Sequence, residues 1–180
     1  MALRTVGGSI RLTSRPVNSV SSLRQPHAVT ASGVTVKSAS KTLIGPAAQG
    51  KALDIEATFS LKDAERFGLK MRTGANGEET VIGYDTTTKE LYVDRTHSGA
   101  VDFSSTFPGV RTALKAENGK VKLRILVDWS SLEVFGGSGE VSIIDQIFPD
   151  PASRGVQVFA ENGSVKLDKA VAWHLDSAHK

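Results

Sequence analysis

The stretch Leu53-Asp54-Ile55-Glu56-Ala57-Thr58-Phe59-Ser60-Leu61 decides the fold class of this chain. Apolar and polar side chains alternate along all of it, which is typical of a β-strand with one buried and one solvent-facing side. The same alternation recurs at Phe67/Leu69/Met71, Leu91/Val93, residues 121–127, Leu132/Val134 and Val165/Leu167. Weaker strand candidates are residues 29–36, 141–148, 156–159 and 171–175, and no stretch keeps a helical period.

The connections between these runs favour tight turns. Asn76-Gly77, Asn118-Gly119 and Asn162-Gly163 each separate two strand-like segments, and Asn-Gly suits hairpin turns that need positive φ at both central residues. Residues 116–123 reappear almost unchanged as residues 160–167, but a second echo in the chain has a different spacing. We therefore interpret the repeat as reused turn chemistry and not as the blades of a propeller. About ten to twelve short strands predict an all-β fold, a two-sheet antiparallel β-sandwich of the concanavalin A-like or jelly-roll type.

The first fifty residues differ from the rest, because they are rich in Ser and Thr and contain Pro16, Pro26 and Pro46. We expect residues 3–23 to be a lead-in segment that docks on the sandwich edge. Residues 46–50 are expected to form a loop, and Trp173, in a period-two run, is expected in the core.

Composition narrows the function classes. The formal charge of +3 is spread over mixed segments such as residues 62–66, so no basic stripe predicts nucleic-acid binding. The absence of cysteine removes disulfides and thiolate chemistry. No apolar run is long enough to span a membrane, and residues 1–12 lack the apolar middle of a signal peptide. We expect no nucleic-acid or membrane partner.

No complete catalytic centre is visible. Glycoside hydrolysis needs two carboxyl groups across the scissile bond, and Asp128 and Glu133 are the nearest candidates. We interpret Asp128 as a cap of its own turn and Glu133 as a solvent-facing residue. The segment from Gly136 to Glu140 fails the serine-hydrolase pattern and is expected to be a loop. The four histidines are scattered along the chain and predict neither a metal site nor a cofactor. They are His27, His97, His174 and His179.

Sugar binding is an open alternative. An aromatic ring packs well against the apolar face of a sugar, and Trp129 lies on a turn where such a ring would be accessible. The candidate carbohydrate contacts are Asp94, Arg95, His97, Asp128 and Trp129.

A set of segments carries a resemblance to a known family. They are residues 67–74 (FGLKMRTG), 81–85 (VIGYD), 91–99 (LYVDRTHSG), 123–136 (LRILVDWSSLEVFG) and 145–149 (DQIFP). In this order they resemble the C-terminal β-sandwich of glycoside hydrolase family 32, which contains levanases, inulinases and invertases. Residues 3–17 look like the family's link from its catalytic propeller.

The resemblance implies that the catalytic residues lie elsewhere. In the family, a preceding five-bladed propeller carries a nucleophilic Asp, a second Asp in an Arg-Asp-Pro segment and an acid/base Glu in a Glu-Cys segment. This sequence has no Arg-Asp-Pro and no cysteine, so no catalytic residue is carried over. The implied division is residues 1–24 as a linker from the propeller and residues 25–180 as the sandwich.

Two functions are therefore expected. The first is structural support of a catalytic propeller in a fructan-degrading glycosidase, with this chain inactive alone. The alternative is a lectin-like module that binds fructan. Family habit implies a bacterial parent protein outside the cell or in its envelope. An independent adhesion or signalling sandwich is a third, less favoured interpretation.

Overall fold

The computed structural model describes residues 1–38, 42–43 and 45–178. The strands in this part of the chain are β1 Ala2–Val6, β2 Ser9–Thr13, β3 Val29–Lys37, β4 Thr42–Leu43, β5 Leu53–Ser60, β6 Arg66–Thr73, β7 Glu79–Asp85, β8 Glu90–His97, β9 Gly109–Ala113, β10 Lys120–Val127, β11 Ser131–Gly136, β12 Val141–Gln146, β13 Gly155–Glu161 and β14 Ser164–His174. Two short 3₁₀ helices span Asn18–Leu23 and Pro46–Ala48. The second lies where a loop was expected.

Two antiparallel sheets pack face to face. Sheet I has the strand order β12-β11-β10-β5-β14-β3, and sheet II has the order β4-β13-β6-β7-β8-β9. Their inward side chains form one continuous core. The predicted all-β sandwich is confirmed. The strands β1 and β2 form a separate two-stranded sheet, here called the N-terminal ribbon.

The alternation that predicted β5 also fills the core. Leu53, Ile55 and Phe59 are fully buried, whereas Glu56 points to solvent. Phe59 meets Phe67 of sheet II with ring centroids 5.1 Å apart. Burying one apolar side chain of this size stabilises the fold by about 1.5–3 kcal/mol relative to leaving it exposed.

The three Asn-Gly turns have different roles. Only residues 76–77 close a hairpin within one sheet, between β6 and β7, and positive φ is recorded there for Gly77. At Asn118-Gly119 and Asn162-Gly163 the predicted positive φ is confirmed at all four residues. Both of these turns carry the chain from sheet II to sheet I, so the expected hairpins are wrong there.

The repeated sequence around those two turns has a structural reason. Each copy delivers a strand to one side of β5: β10 pairs with β5 on one side and β14 on the other. The same turn, followed by the same alternation of polar and apolar residues, therefore starts both strands that flank β5. The interpretation as reused turn chemistry is confirmed.

The expected core position of Trp173 is wrong. A β-bulge between Leu167 and Lys169 shifts the register of β14, so Ala170 and Ala172 face the core and Trp173 faces outward. The bulge residue Asp168 accepts hydrogen bonds from Lys120 Nζ at 2.5 Å and Ser60 Oγ at 2.6 Å. These contacts hold the pKa of Asp168 at about 2.

Candidate functional site

The outer face of sheet I carries a buried charge cluster. Asp54 on β5 points away from the core yet is fully buried. Arg24 Nε donates to its Oδ2 at 2.8 Å, and Arg124 Nη2 donates to the same oxygen at 2.7 Å. Burial lowers the pKa of Arg24, but its hydrogen bonds to Asp54 and Glu56 outweigh this and raise it. Arg24 also lies 3.7 Å above the ring of Trp173, so this cluster clamps residue 24 onto the sheet.

The segment before Arg24 is fastened at a second point. The backbone N–H of Ser14 donates to Gly139 O at 2.7 Å, and Arg15 Nε donates to Ser138 O at 2.8 Å. Both acceptors lie in the loop between β11 and β12, which was expected from the sequence. Of the predicted lead-in 3–23, residues 14–23 together with Arg24 therefore lie across the outside of sheet I, and these residues 14–24 are the lead-in segment of the structure.

A groove of about 330 Å³ lies beside the lead-in segment. Its lining residues are Arg15, Pro16, Glu56, Ala57, Thr58, Lys122, Leu123, Arg124, Phe135, Gly137, Gly139, Lys169 and Val171. Among these lining residues Glu56 is the only carboxylate. A glycosidase centre needs two, so the groove cannot cleave a glycosidic bond by that chemistry.

The acid pair considered from the sequence, Asp128 and Glu133, lies outside this groove. Asp128 Oδ1 accepts a hydrogen bond from the backbone N–H of Trp129 at 2.8 Å, as expected for a turn cap. Glu133 lies on β11 opposite Leu126 of β10, on the solvent side of sheet I.

The sequence-predicted sugar contacts lie at one end of the sandwich. These contacts form two groups, one around Arg95 and one around Trp129, and segment 145–150 lies between them. Arg95 Nη1 donates to Gln146 O at 3.0 Å, and the N–H of Ile147 donates to Ser130 O at 3.0 Å. The end of β8, with Asp94, Arg95 and His97, therefore lies on the same side of the fold as the turn with Asp128 and Trp129.

Several of these side chains are engaged in holding the loops. Arg95 is 8% exposed, pairs with Asp145 at 3.3 Å and lies 4.0 Å above the ring of Phe107. Burial raises the pKa of Asp145, and the charge of Arg95 opposes that shift. Asp94 Oδ1 accepts hydrogen bonds from the backbone and the hydroxyl of Thr96 at 2.8 and 2.5 Å. Of the predicted set, His97 and Trp129 are exposed without a hydrogen-bonding role assigned to their rings.

Trp129 is the accessible aromatic residue of this end. Trp129 is 61% exposed, and Lys51 Nζ lies 4.0 Å from its ring centroid. The turn is anchored from below by Arg72, whose Nη1 donates to Trp129 O at 3.2 Å. The backbone of the turn is thus fixed, while the ring is largely exposed to solvent.

Two features of this end were missed from the sequence. Phe103, Phe107 and Phe148 form a surface cluster with ring centroids 4.7–6.0 Å apart. Arg72 is almost completely buried and ties the β10–β11 turn to the β12–β13 loop through backbone carbonyls. No local pattern signals either feature, because Phe148 lies far along the chain from the other two phenylalanines and the carbonyl partners of Arg72 lie far from Arg72.

Metal and membrane features were searched in the same part of the chain. Among residues 1–38, 42–43 and 45–178, no group of three or more His, Asp or Glu side chains could hold a metal ion. His174 is hydrogen bonded with Ala47 O at 2.9 Å, and His179 lies outside the described residues. No helix in this part of the chain has the length and apolar character needed to cross a membrane.

The N-terminal ribbon has one apolar face. Leu3 and Leu12 are directly paired across its two strands, and Ile10 follows on the same side. These residues are 72%, 61% and 75% exposed, respectively. A contiguous exposed apolar face on a two-stranded sheet is typical of a surface that another element covers.

Comparison with known families identifies the domain. The family model "Glycosyl hydrolases family 32 C terminal" matches residues 19–174. This chain belongs to that family. The match confirms the resemblance carried by the motifs on β6, β8 and β11, and it places the family 32 C-terminal domain on the whole sandwich.

Relatives of this family 32 domain are larger proteins. A levanase of Bacillus sp. (strain L7) is 39% identical over 171 residues, which cover 93% of this chain and 18% of the levanase. An extracellular exo-inulinase of Aspergillus awamori is 34% identical, covering 98% of this chain and 33% of that enzyme. The crystal structure of exo-inulinase from Aspergillus awamori superposes with a TM-score of 0.85 at 33% identity, over 98% of this chain and 35% of that one. The family 32 domain therefore spans about a fifth to a third of these proteins.

Proposed function

We propose that this domain is the accessory C-terminal sandwich of an enzyme that hydrolyses β-fructosides, and that it stabilises the catalytic propeller by packing against it. The match along residues 19–174, in a chain that spans 18% of a levanase, carries the proposal. A domain that forms so small a share of an enzyme, with one carboxylate in its groove, is suited to support rather than to bond cleavage.

The N-terminal ribbon supports the same proposal. Its exposed apolar face is formed by Leu3, Ile10 and Leu12. These residues belong to the segment 1–24, which in this proposal links the sandwich to the propeller. Covering such a face with a neighbouring domain removes apolar surface from water and stabilises both partners. Because relatives are named as extracellular exo-inulinases, we place the parent enzyme outside the cell.

An activity assay tests the proposal. The 180-residue chain is expected to release no fructose from sucrose, inulin or levan, because its groove is lined by a single carboxylate, Glu56. The longer polypeptide that contains this chain is expected to release fructose and to lose thermal stability when residues 25–180 are deleted. Turnover by the 180-residue chain, or an unchanged Tm after the deletion, would contradict the proposal.

A second candidate function is fructan binding, favoured by the exposure of Trp129. In this proposal the Trp129 ring stacks on a sugar while Asp94, His97 and Asp128 offer hydrogen-bonding groups. Arg95 then holds the end of β8 from beneath, since it is buried against Asp145.

Affinity electrophoresis decides the second candidate. Levan or inulin in a native gel is expected to slow the wild-type chain, and Trp129→Ala is expected to migrate as if no polysaccharide were present. Lys115→Ala, which changes an exposed residue remote from that turn, serves as the matched control. If wild-type migration is unchanged in the presence of millimolar sugar, the domain does not bind fructan.

A further inference from the structure

The outer face of sheet I is organised in rows of residues that lie side by side across β10, β5 and β14. One row is Lys120–Ser60–Lys166, and the next is Lys122–Thr58–Lys169. Adjacent strands are about 4.8 Å apart, so in each row two lysines flank a hydroxyl residue at a separation of about 10 Å. The two rows therefore present the same arrangement of groups.

Only the first row contains its own anion. Asp168, in the bulge of β14, accepts from Lys120 Nζ at 2.5 Å and from Ser60 Oγ at 2.6 Å, and it lies 3.5 Å from Lys166 Nζ. A single carboxylate thus bridges both lysines and the hydroxyl. Its depressed pKa reflects how strongly this arrangement favours a negative charge.

The second row has no such partner. Within residues 1–38, 42–43 and 45–178, no carboxylate lies in ion-pair distance of Lys122, Lys169 or the nearby Arg15. The acids closest along β5, Asp54 and Glu56, are engaged with Arg24 and Arg124. Three exposed cations therefore line the groove without an ion-pair partner of their own, since its one carboxylate, Glu56, is paired with Arg24 and Arg124.

The groove provides room and an apolar floor for an occupant. Phe135 and Val171 lie at its base and are 6% and 8% exposed, while Lys122 and Lys169 are exposed. One wall is formed by Arg15 and Pro16 of the lead-in segment, which continues directly from the N-terminal ribbon. The groove therefore borders the segment that leads into the N-terminal ribbon, for whose apolar face we propose a neighbouring domain.

We propose that the groove beside Thr58 receives an acidic segment of the preceding catalytic domain, with one of its carboxylates bridging Lys122 and Lys169 as Asp168 bridges Lys120 and Lys166. This inference rests on the proposed supporting function and names the surface that performs it. A tether through residues 14–24 keeps the two domains at a high effective concentration, so even a modest ionic contact is occupied.

Amine footprinting tests the proposed contact. An acetylating reagent is applied to this chain and to the longer polypeptide that contains it, and the reaction of each lysine is followed by mass spectrometry. Lys122 and Lys169 are expected to react about tenfold more slowly in the longer polypeptide. Lys62 and Lys115, which are exposed outside the groove, are the matched controls and are expected to react equally in both proteins.

A carbodiimide cross-link identifies the occupant, since this reagent joins an amine to a carboxylate in direct contact. We expect peptides containing Lys122 or Lys169 to be coupled to acidic residues of the preceding domain. The double variant Lys122→Glu/Lys169→Glu of the longer polypeptide is expected to lose these products. The control variant Lys62→Glu/Lys115→Glu is expected to keep them.

The outcomes separate the two proposals. If Lys122 and Lys169 react equally in both proteins while other residues of this domain become protected, the groove is not the contact but the supporting function stands. If no residue of this domain is protected, the supporting function fails as well. If sodium phosphate or citrate protects both lysines in the isolated chain, with no protection in the longer polypeptide alone, the groove binds a free anion and our assignment is wrong.

Discussion

Arg72→Met is expected to lower the free energy of unfolding by about 3 kcal/mol or more, because it removes a buried hydrogen-bonding hub. Arg72 is 1% exposed and donates to Ser153 O at 2.7 Å, Trp129 O at 3.2 Å and Asp150 O at 3.4 Å. Methionine keeps an unbranched side chain of similar length but leaves these carbonyls without their donor. The backbone requirement at φ 53° is the same for both residues.

Urea denaturation followed by tryptophan fluorescence measures this loss, since Trp129 lies on one of the anchored turns. Arg11→Met, at an exposed position of the N-terminal ribbon, is the control and should change stability by no more than about 0.5 kcal/mol. A loss below about 1 kcal/mol for Arg72→Met would mean that water satisfies the carbonyls and that Arg72 is not the hub.

Gly68→Ala is expected to be comparably damaging, by about 3 kcal/mol or more, for a steric reason. Gly68 on β6 pairs with Gly83 on β7 in the middle of sheet II. A Cβ at residue 68 would overlap the carbonyl oxygen of Ile82 and approach Gly83 Cα to 2.9 Å. Both are backbone atoms of the paired strand, so β6 and β7 would have to separate.

Gly77→Ala is the matched control for the effect of replacing a glycine. Its φ of +78° disfavours alanine, but nothing lies within 4 Å of the added Cβ, so a cost of about 1 kcal/mol is expected. Thermal and urea unfolding of both variants separates the clash from the backbone cost. Equal stabilities of Gly68→Ala and Gly77→Ala would show that sheet II absorbs the methyl group.

The fold was predictable wherever one side of a strand alone enters the core. Leu53, Ile55 and Phe59 revealed β5 because burial imposes a period of two on the sequence. The same reasoning failed at Trp173, since the bulge at Asp168 shifts the phase and nothing local announces the insertion. Strand existence is a local property, whereas register depends on the partner strand.

Turn chemistry was likewise predictable only in part. Asn118 and Asn162 adopt the positive φ that their sequence favours. Whether the next strand enters the same sheet or the opposite one depends on long-range pairing with β5, which a turn does not encode. This is why two sheet-crossing turns resembled hairpins.

The candidate site shows the same division. The sequence grouped Arg95 with the sugar contacts because it offers a charged hydrogen-bonding group, but its ionic partner is Asp145 on β12. Likewise, the alternation along β10 and β14 placed Lys122 and Lys169 on exposed faces without showing that they flank Thr58. Charges that matter through their distant neighbours become interpretable only when the strands are paired.

The position of β14 has a consequence for biosynthesis. This strand lies between β5 and β3, so sheet I keeps a gap in its interior until residue 174 has left the ribosome. Pairing across such sequence distances is slow, and the open edge of β5 is exposed to wrong partners in the meantime. A nascent chain therefore completes sheet I only after β14 has emerged, onto whatever upstream portion has already folded.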